Sequence, residues 1–325
     1  MKDNYSREIN YLRLSITDRC NLACFYCQPR RDWQKLPASE IMQYEELLQA
    51  ARAAITVGIR KIRVTGGEPL VRRGVVDFVR ALHRLPGLEK VCLTTNGVLL
   101  ADMARDLYAA GLRHLNLSLD TLNPERFRTI TGRDHFAQVL AGLWRALELG
   151  FHPVKVNCVV LKDINDDELL DFARLARDLP LQVRFIEFMP TISEERWARH
   201  FLPMSEVRRR LAVLGEMQTL GRRPTSGPAH LVRPAGFQGE LGFINPVSQH
   251  HCSTCNRLRL TASGRLRPCL FSQREIDLKG PLRQGASLAD LARLFEQAVK
   301  AKPSLPEPRI STEALSSCPM VGIGG

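Results

Sequence analysis

The sequence of 325 residues lacks the features that mark membrane and secreted proteins. It has no run of 18 apolar residues, so we expect no membrane-spanning helix. Residues 1–10 are polar and charged, without the apolar stretch of a secretory signal. Internal repeats and low-complexity tracts are also absent. Because 44% of the residues are hydrophobic, the chain can bury a proper core, and its length favours about two domains.

Acidic residues are fewer than basic ones. The chain has 34 Asp and Glu against 46 Lys and Arg, which gives a formal net charge of +12. Such a charge predicts attraction to anions. It does not distinguish a nucleic acid from a phosphorylated small molecule.

Cysteine is scarce except in two groups, and the first group lies near the start of the chain. Cys20, Cys24 and Cys27 have the spacing C-x3-C-x2-C. Three thiols cannot all pair as disulfides, whereas three thiolates can hold a 4Fe-4S cluster and leave its fourth iron open to a small ligand. The alternative is three unrelated buried cysteines in one loop. Clustered free thiols are typical of a reducing compartment, so we expect a cytoplasmic protein.

The second group consists of Cys252, Cys255 and Cys269. It could hold a second cluster with an open iron. It could equally hold zinc, with His250 or His251 completing a Cys3His tetrahedron. The spacing alone does not decide between these metals.

Strand-like and helix-like stretches alternate over the first two thirds of the chain, which predicts a parallel α/β sheet. One face of several strands stays polar, as in Lys61, Arg63 and Thr65. Burying such charges without partners would cost several kcal/mol each, so we expect them to face a polar, ligand-filled lumen. The predicted strands are residues 12–17, 61–65, 90–95, 114–119, 154–160 and 183–188.

These units predict an α/β fold, a partial, open TIM-like barrel of about six βα units. The cysteine loop and the Gly66-Gly67-Glu68-Pro69 loop follow strand ends, where barrels place their active sites. Residues 221–228 read as a linker. We therefore expect a barrel domain over 1–221 and a smaller C-terminal domain over 222–325 that carries the second cluster.

The first cysteine group, with an aromatic residue just before Cys27, resembles the signature of the radical S-adenosylmethionine (SAM) superfamily. The resemblance implies that the open iron binds the amino and carboxylate groups of SAM. It also implies that reduction of the cluster splits SAM into methionine and a 5′-deoxyadenosyl radical.

Further motifs resemble one family of that superfamily, the GTP 3′,8-cyclases of molybdenum cofactor (molybdopterin) biosynthesis. The resemblance runs from about Leu12 to Gly325. It implies a second 4Fe-4S cluster in place of zinc, and a lyase that removes the ribose 3′ hydrogen of GTP and joins C3′ to guanine C8. The product would be (8S)-3′,8-cyclo-7,8-dihydroguanosine 5′-triphosphate. The motifs are Lys61-Ile-Arg-Val-Thr-Gly-Gly-Glu-Pro, Thr94-Thr-Asn-Gly, Asn116-Leu-Ser-Leu-Asp, Lys155-Val-Asn, Arg184-Phe-Ile-Glu-Phe-Met, His251-Cys-Ser-Thr-Cys-Asn-Arg-Leu-Arg-Leu, Leu266-Arg-Pro-Cys-Leu and the final Gly-Gly.

The resemblance also implies residue roles. Cys20, Cys24 and Cys27 would hold the first cluster, and Cys252, Cys255 and Cys269 the second. The SAM-binding residues implied are Tyr26, Gly67, Ser118 and Met189. The GTP-binding residues implied are Arg13, Lys61, Arg63, Thr94, Lys155, Arg184, Arg257, Leu258 and Arg259. The catalytic residues implied are Arg13, Arg257, Arg259, Gly324 and Gly325. Cys92 and Cys158 are interpreted as ordinary small buried residues, and Cys318 lies outside both groups.

The family further implies a flavodoxin- or ferredoxin-like one-electron reductant, transfer of the product to cyclic pyranopterin monophosphate synthase, and a homodimer. No nucleic acid or membrane partner is expected. The sequence departs from the family pattern at His251, where Phe is common, and at Pro190-Thr191-Ile192. Two other functions stay open. One is a radical SAM enzyme with an auxiliary cluster that acts on a peptide or tRNA, and the other is a zinc- and nucleic-acid-binding protein.

Overall fold

A single sheet of twelve strands organises the part of the chain that the computed structural model describes, which is residues 1–27, 35–221 and 226–305. The strands are β1 (Tyr11–Ser15), β2 (Lys61–Thr65), β3 (Lys90–Thr95), β4 (His114–Ser118), β5 (Val154–Val160), β6 (Leu181–Glu187), β7 (Met217–Thr219), β8 (His230–Pro234), β9 (Glu240–Ile244), β10 (Arg257–Leu260), β11 (Arg265–Arg267) and β12 (Ile276–Asp277).

The strand order is β12-β11-β10-β1-β2-β3-β4-β5-β6-β9-β8-β7. The strands from β10 through β1–β6 to β9 all run parallel. The two edges are antiparallel, with β11 and β12 at one side and β8 and β7 at the other. The sheet therefore stays open, because its two edge strands, β12 and β7, do not pair with each other.

Helices connect the parallel strands and cover the apolar face of the sheet. Several carry the expected capping residues: Asn123 caps α4 (Pro124–Thr131), with Pro124 at its first position, and Ser287 forms a capping box with Asp290 at the start of α10 (Leu288–Lys300). No helix in the described ranges is long and apolar enough to cross a membrane. The helices are α1 (Tyr44–Thr56), α2 (Val75–His83), α3 (Leu100–Ala109), α4 (Pro124–Thr131), α5 (Phe136–Glu148), α6 (Leu169–Asp178), α7 (Glu194–His200), α8 (Met204–Leu211), α9 (Lys279–Arg283) and α10 (Leu288–Lys300).

The two faces of the sheet differ in polarity, as the strand alternation predicts. Leu12 and Leu14 of β1 lie fully buried in the apolar core beneath the helices. Lys61 and Arg63 of the other face are also buried, and Arg13 is half-buried, yet these residues line a cavity instead of the core. Burial of β2 on both faces thus reflects a core on one side and a binding cavity on the other.

The predicted open α/β architecture is confirmed, and the six predicted strands match β1–β6 to within two residues at each end. The C-terminal part also contributes strands to the same sheet, since β9 extends it beside β6 and β10 extends it beside β1. β7 precedes the predicted boundary at residue 221 and pairs with β8, which follows it. The division of the chain at this point stays a prediction.

Candidate active site

A cavity of about 880 Å³ lies against the polar face of the sheet. Side chains of all eight parallel strands contribute to its wall. It brings together the following predicted site residues: Arg13, Cys20, Cys24, Tyr26, Cys27, Lys61, Arg63, Gly67, Thr94, Ser118, Lys155, Arg184, Met189, Cys252, Cys255, Arg257, Arg259 and Cys269. Residues far apart in the sequence therefore form one site.

Three predicted site residues are not among those that line the cavity. Leu258 lies between Arg257 and Arg259 on β10, and strand alternation places its side chain in the apolar core, where it is fully buried. Gly324 and Gly325 lie outside the described residues, as does Cys318.

The first cysteine loop is fastened to the end of α4. The amides of Ala23 and Phe25 donate to the carbonyls of Thr131 and Ile130, at 2.8 and 3.1 Å. Phe25 also packs edge-on against Phe188, within a small apolar cluster beside the cavity. These contacts fix the loop that holds Cys20, Cys24 and Cys27 at the cavity wall.

Two thiols of this loop lie in a poor environment for a bare thiolate. Burial raises the pKa of Cys20, and burial followed by the nearby Asp120 carboxylate raises the pKa of Cys24 well above its usual value. A coordinating metal deprotonates a thiol outright and would remove this barrier. The Sγ of Cys20 also accepts from the Leu22 amide (3.4 Å) and the Asn96 side chain (3.7 Å).

The Gly66-Gly67 turn packs directly on the backbone that leads into the cysteine loop. The Gly67 amide donates to the Thr17 carbonyl at 2.7 Å, and the Glu68 amide donates to the Arg19 carbonyl at 2.8 Å. A β-carbon at position 67 would lie 2.3 Å from the Arg19 carbonyl oxygen, so only glycine fits. The turn holds the residue before Cys20 in place.

Tyr26 connects the cysteine loop to Asp120, which follows β4, and to the segment after β6 that carries the predicted SAM residue Met189. Its hydroxyl donates to the Asp120 carboxylate, whose other oxygen accepts from the Val159 amide at 2.9 Å. The Thr191 hydroxyl donates to the Tyr26 carbonyl at 2.6 Å, while the Thr191 amide donates to the Met189 carbonyl at 2.7 Å. Thr191 thus links Tyr26 and Met189.

Two buried cations hold the second cysteine loop. Arg7 donates to the carbonyl of Cys252 at 2.7 Å. Lys302 donates to the carbonyls of Arg257 (2.8 Å) and Pro268 (2.9 Å), which border Cys255 and Cys269. His251 is hydrogen-bonded through Nε2 to the Asn245 side chain at 2.6 Å.

The second group differs electrostatically from the first. Burial by itself raises the pKa of Cys255, but Arg257, which is hydrogen-bonded to this thiol, and Lys302 outweigh it and bring the pKa to about 6. A thiolate is therefore accessible at Cys255 near neutral pH. This is the form that binds iron.

The donor chemistry fits iron–sulfur clusters. All six thiols are free and lie at the cavity wall, and thiolates are the usual ligands of Fe–S clusters. In residues 1–27, 35–221 and 226–305, no three Cys, His, Asp or Glu side chains converge as ligands of one metal ion. A 4Fe-4S cluster instead assigns each thiolate to its own iron.

Seven cationic residues follow the register of neighbouring strands across the cavity. Arg13 lies between Arg63 of β2 and Arg259 of β10, while Lys155 of β5 lies beside β6, which carries Arg184. These seven are the cations that the sequence predicts to bind GTP, namely Arg13, Lys61, Arg63, Lys155, Arg184, Arg257 and Arg259, and Lys90, Arg233 and Lys302 also line the cavity. Such a surface attracts a polyanion, and guanidinium groups match phosphate oxygens bidentately.

Burial without sufficient counter-charge lowers the pKa of several of these cations. Burial and then Arg184 and Arg63 bring the pKa of Lys155 to about 6. Burial and then Arg63 bring that of Arg184 to about 10, and burial followed by Arg13 lowers that of Arg259 well below its usual range. An anionic ligand would reverse these shifts by supplying negative charge.

The four carboxylates of the cavity wall have partners of their own. Glu68 accepts from the Leu70 and Asn96 amides and the Thr95 hydroxyl, and Glu187 accepts from the amides of residues 204, 247 and 248. Asp120 binds Tyr26, and Glu240 binds Arg233 and Gln182. Most of this negative charge is already engaged in holding loops and strand edges.

Four buried polar atoms at the cavity wall have no hydrogen-bond partner within the described protein. They are Asn116 Oδ1, Asn157 Oδ1, Arg184 Nε and Arg259 Nη1. Buried polar groups are normally paired, so these two acceptors and two donors are available to a ligand.

The sequence reasoning did not single out three functional-site residues. Tyr11 shares the cavity face with Arg13, a position that strand alternation could have revealed. Glu68 belongs to a quoted motif, but its role in holding Asn96 is visible only in the fold. Lys302 lies beyond the last helix, and no sequence signal places it beside the second cysteine group.

Comparisons with solved structures support the same architecture. The crystal structure of Streptococcus suis SuiB bound to S-adenosylmethionine superposes with a TM-score of 0.59 over 84% of this chain and 63% of that chain. The two sequences are 13% identical, so the likeness concerns the fold alone.

Family models and curated relatives identify the chain more closely. The model of the radical SAM superfamily matches residues 14–176, and the molybdenum cofactor synthesis C-terminal model matches residues 181–306. GTP 3′,8-cyclase of Moorella thermoacetica is 48% identical over 94% of both chains, and that of Thermodesulfovibrio yellowstonii is 45% identical over the full length of both. Human molybdenum cofactor biosynthesis protein 1 is 44% identical over 99% of this chain and 50% of its own length. The chain therefore belongs to the GTP 3′,8-cyclase family of the radical SAM superfamily.

Proposed function

We propose that this chain is a GTP 3′,8-cyclase that converts GTP into (8S)-3′,8-cyclo-7,8-dihydroguanosine 5′-triphosphate, the first step of molybdenum cofactor biosynthesis. The observation that carries the proposal is the joining of two cysteine triads and the seven predicted GTP-binding cations in one cavity of about 880 Å³. A single pocket of this kind accommodates a nucleoside triphosphate between two metal centres. The relatives named GTP 3′,8-cyclase support the choice of GTP.

Cys20, Cys24 and Cys27 would hold the 4Fe-4S cluster that binds SAM, and Cys252, Cys255 and Cys269 would hold the second cluster. When bound and reduced, the first cluster with SAM supplies the 5′-deoxyadenosyl radical that removes the ribose 3′ hydrogen. The protein residues place that hydrogen at contact distance and keep water away from the reacting atoms.

The cation set would bind the triphosphate of GTP. Arg13, Lys61 and Arg63 form one part of it, and Lys155 and Arg184 of the far strands form another. Thr94 lies between these parts, and its hydroxyl accepts from Arg63 at 3.4 Å. Binding of several phosphate charges offsets the mutual repulsion of these buried cations, which gives the site its preference for a polyanion.

The SAM residues would act through shape and hydrogen bonding. Gly67 lets the backbone approach the methionine end of SAM, and Ser118 offers a hydroxyl. Met189 supplies an adaptable apolar contact for the adenine ring. Tyr26, held by Asp120, borders the same part of the cavity.

Arg13, Arg257 and Arg259 are proposed as catalytic residues because they would contact GTP between the two cysteine groups. Gly324 and Gly325 are proposed as further catalytic residues on the family resemblance alone. We also propose a flavodoxin- or ferredoxin-like reductant, delivery of the product to cyclic pyranopterin monophosphate synthase, a homodimer and a cytoplasmic location. The reducing conditions that free thiol clusters need support that location.

The test begins with iron and sulfide analysis of anaerobically reconstituted protein, where about eight irons per chain are expected. Reduction with SAM and 3′-deuterated GTP should then give 5′-deoxyadenosine that carries the deuterium. About four irons with one zinc would contradict the second cluster. About eight irons per chain without deuterium transfer would still support a radical SAM enzyme with two clusters, but would reject GTP as its substrate. A peptide or tRNA substrate would then be the remaining alternative. Bound zinc with salt-sensitive nucleic-acid affinity would instead indicate the nucleic-acid-binding alternative.

A further inference from the structure

Tyr11 is a buried cavity residue with no role in the site as derived so far. It begins β1 on the same face as Arg13 and is 3% exposed. In the strand register it lies directly opposite Lys61 of β2 and Arg257 of β10. A single aromatic side chain therefore lies at the centre of the cationic wall.

Three cations of that wall contact this one side chain. Arg63 Nε donates to the Tyr11 hydroxyl at 2.6 Å, and Arg13 is hydrogen-bonded to the same side chain. Lys61 Nζ lies 4.1 Å from the centre of the Tyr11 ring, within the range of a cation–π contact. The oxygen thus orients two guanidinium groups, while the ring orients an ammonium group.

The chemistry of a phenol suits this position better than that of a carboxylate. A carboxylate would form full salt bridges with the same cations and compete with phosphate for them. A phenol accepts hydrogen bonds and leaves most of the cationic charge available. In the ligand-free cavity burial raises the pKa of Tyr11, but Arg63, Lys61 and Arg13 outweigh burial and bring the pKa to about 7. Bound phosphate charge would raise this pKa again and keep the side chain a neutral phenol.

We propose that Tyr11 is a positioning residue for polyphosphate binding, because its hydroxyl and ring hold Arg13, Lys61 and Arg63 in the arrangement that receives the triphosphate of GTP. The inference rests on the proposed function, since it presumes that these cations bind GTP. It adds a residue that acts on the substrate through its neighbours.

The first test compares Tyr11→Phe with the wild type as reconstituted, cluster-bearing protein. This variant keeps the ring beneath Lys61 and removes the oxygen that Arg63 and Arg13 share. We expect the dissociation constants of GTP and of inorganic tripolyphosphate to rise by the same factor, about tenfold. The dissociation constant of guanosine should stay the same. In turnover, KM for GTP should rise while kcat at saturating GTP stays within about twofold. This pattern is expected because the lost contacts stabilise bound GTP and the transition state equally.

A second variant keeps the inference testable if phenylalanine disturbs folding. Tyr11→Leu removes both ring and oxygen and should weaken tripolyphosphate binding more than Tyr11→Phe. Tyr11→His, which restores a ring and a polar atom, should recover part of that loss. The matched control is Tyr44→Phe, because Tyr44 also carries an arginine over its ring, Arg72 at 4.1 Å, but lies outside the cavity.

The outcomes separate the inference from the proposed function. If wild-type protein with both clusters does not bind GTP, the proposed function fails whatever Tyr11 does. If the wild type binds GTP and Tyr11→Phe binds GTP and tripolyphosphate equally well, the positioning role is overturned. An equal loss of guanosine binding would also overturn it, because that result would indicate a general distortion of the cavity.

Discussion

Arg13 of β1 lies directly opposite Arg259 of β10, so a half-buried and a buried guanidinium group face the cavity at the same level of the sheet. β1 and β10 come from opposite ends of the chain, and β10 begins two residues after Cys255 of the second cysteine group. Burial and then the charge of Arg13 lower the pKa of Arg259, and buried like charges of this kind oppose folding. Such an arrangement is expected where a ligand of opposite charge binds. The site forms only when β10 pairs with β1, because each strand carries one of the two arginines.

Lys155 is expected to lower stability while improving substrate binding. Its pKa of about 6 lies below its ordinary value of 10.5, so between these values the unfolded chain binds a proton that the native chain does not. The destabilisation from Lys155 is therefore full below pH 6 and fades as pH rises toward 10.5. Lys155→Met should raise the unfolding temperature at pH 7 in the absence of GTP, with a smaller gain at pH 9. It should also weaken GTP binding by about tenfold or more.

Calorimetric unfolding at both pH values and GTP titration measure these changes. Lys162→Met provides the control, because Lys162 is exposed and does not line the cavity. A Lys155→Met protein that is less stable than the wild type at pH 7 would contradict the prediction.

Gly67→Ala is expected to disable the first cysteine loop. The new β-carbon would come within 2.3 Å of the Arg19 carbonyl oxygen, and backbone can relieve that contact only by moving. We expect a loss of stability of about 1–3 kcal/mol, by analogy with overpacked cores, and a loss of SAM binding of about tenfold or more. Denaturant unfolding and SAM titration check the two effects.

Gly221→Ala is the matched control for this substitution. No atom lies within 4 Å of a β-carbon at position 221, and this glycine has an ordinary backbone conformation. Its stability and SAM affinity should equal those of the wild type. If Gly67→Ala binds SAM with wild-type affinity, the prediction is wrong, because the backbone of the turn then adjusts to the added β-carbon without loss of the SAM site.

The sequence was sufficient to predict the parallel strands, both cysteine groups and most of the cations, because each has a local signature. Strand alternation predicted the polar face that carries Lys61 and Arg63, and their contribution to one cavity follows from parallel pairing. It did not predict that β9 and β10 would extend the same sheet, since strand partners so distant in sequence leave no local pattern. For the same reason, the contacts of Arg7 and Lys302 with the second cysteine loop could not be foreseen.

Lys302→Met is expected to weaken the second cysteine group selectively. The substitution leaves the carbonyls of Arg257 and Pro268 without their buried donor, which costs about 1–3 kcal/mol for an unsatisfied polar group. Because these carbonyls border Cys255 and Cys269, we expect reconstituted iron to fall toward four per chain, with the first cluster retained. Lys300→Met, which alters an exposed lysine of α10, should keep the full iron content. Equal loss of iron from both clusters would instead indicate general unfolding.

The two cysteine triads are expected to load independently, because they lie on separate loops that are held by different contacts. Replacing Cys20, Cys24 and Cys27 together by alanine should leave about four irons per chain, and so should replacing Cys252, Cys255 and Cys269. The first variant should lose cleavage of SAM altogether, whereas the second should lose conversion of GTP. Iron and sulfide analysis with product chromatography measures both effects.

Cys92→Ala tests whether Cys92 is a cluster ligand or only a residue of the cavity wall. Cys92 lies opposite Arg63 on β3 and lines the same cavity, but it belongs to neither triad. Its removal should leave about eight irons per chain, because each cluster then keeps its three thiolates. If the iron content instead falls toward four per chain, Cys92 must be a cluster ligand, because it is the only thiol that this variant changes. The ligands of one cluster would then have to be reassigned.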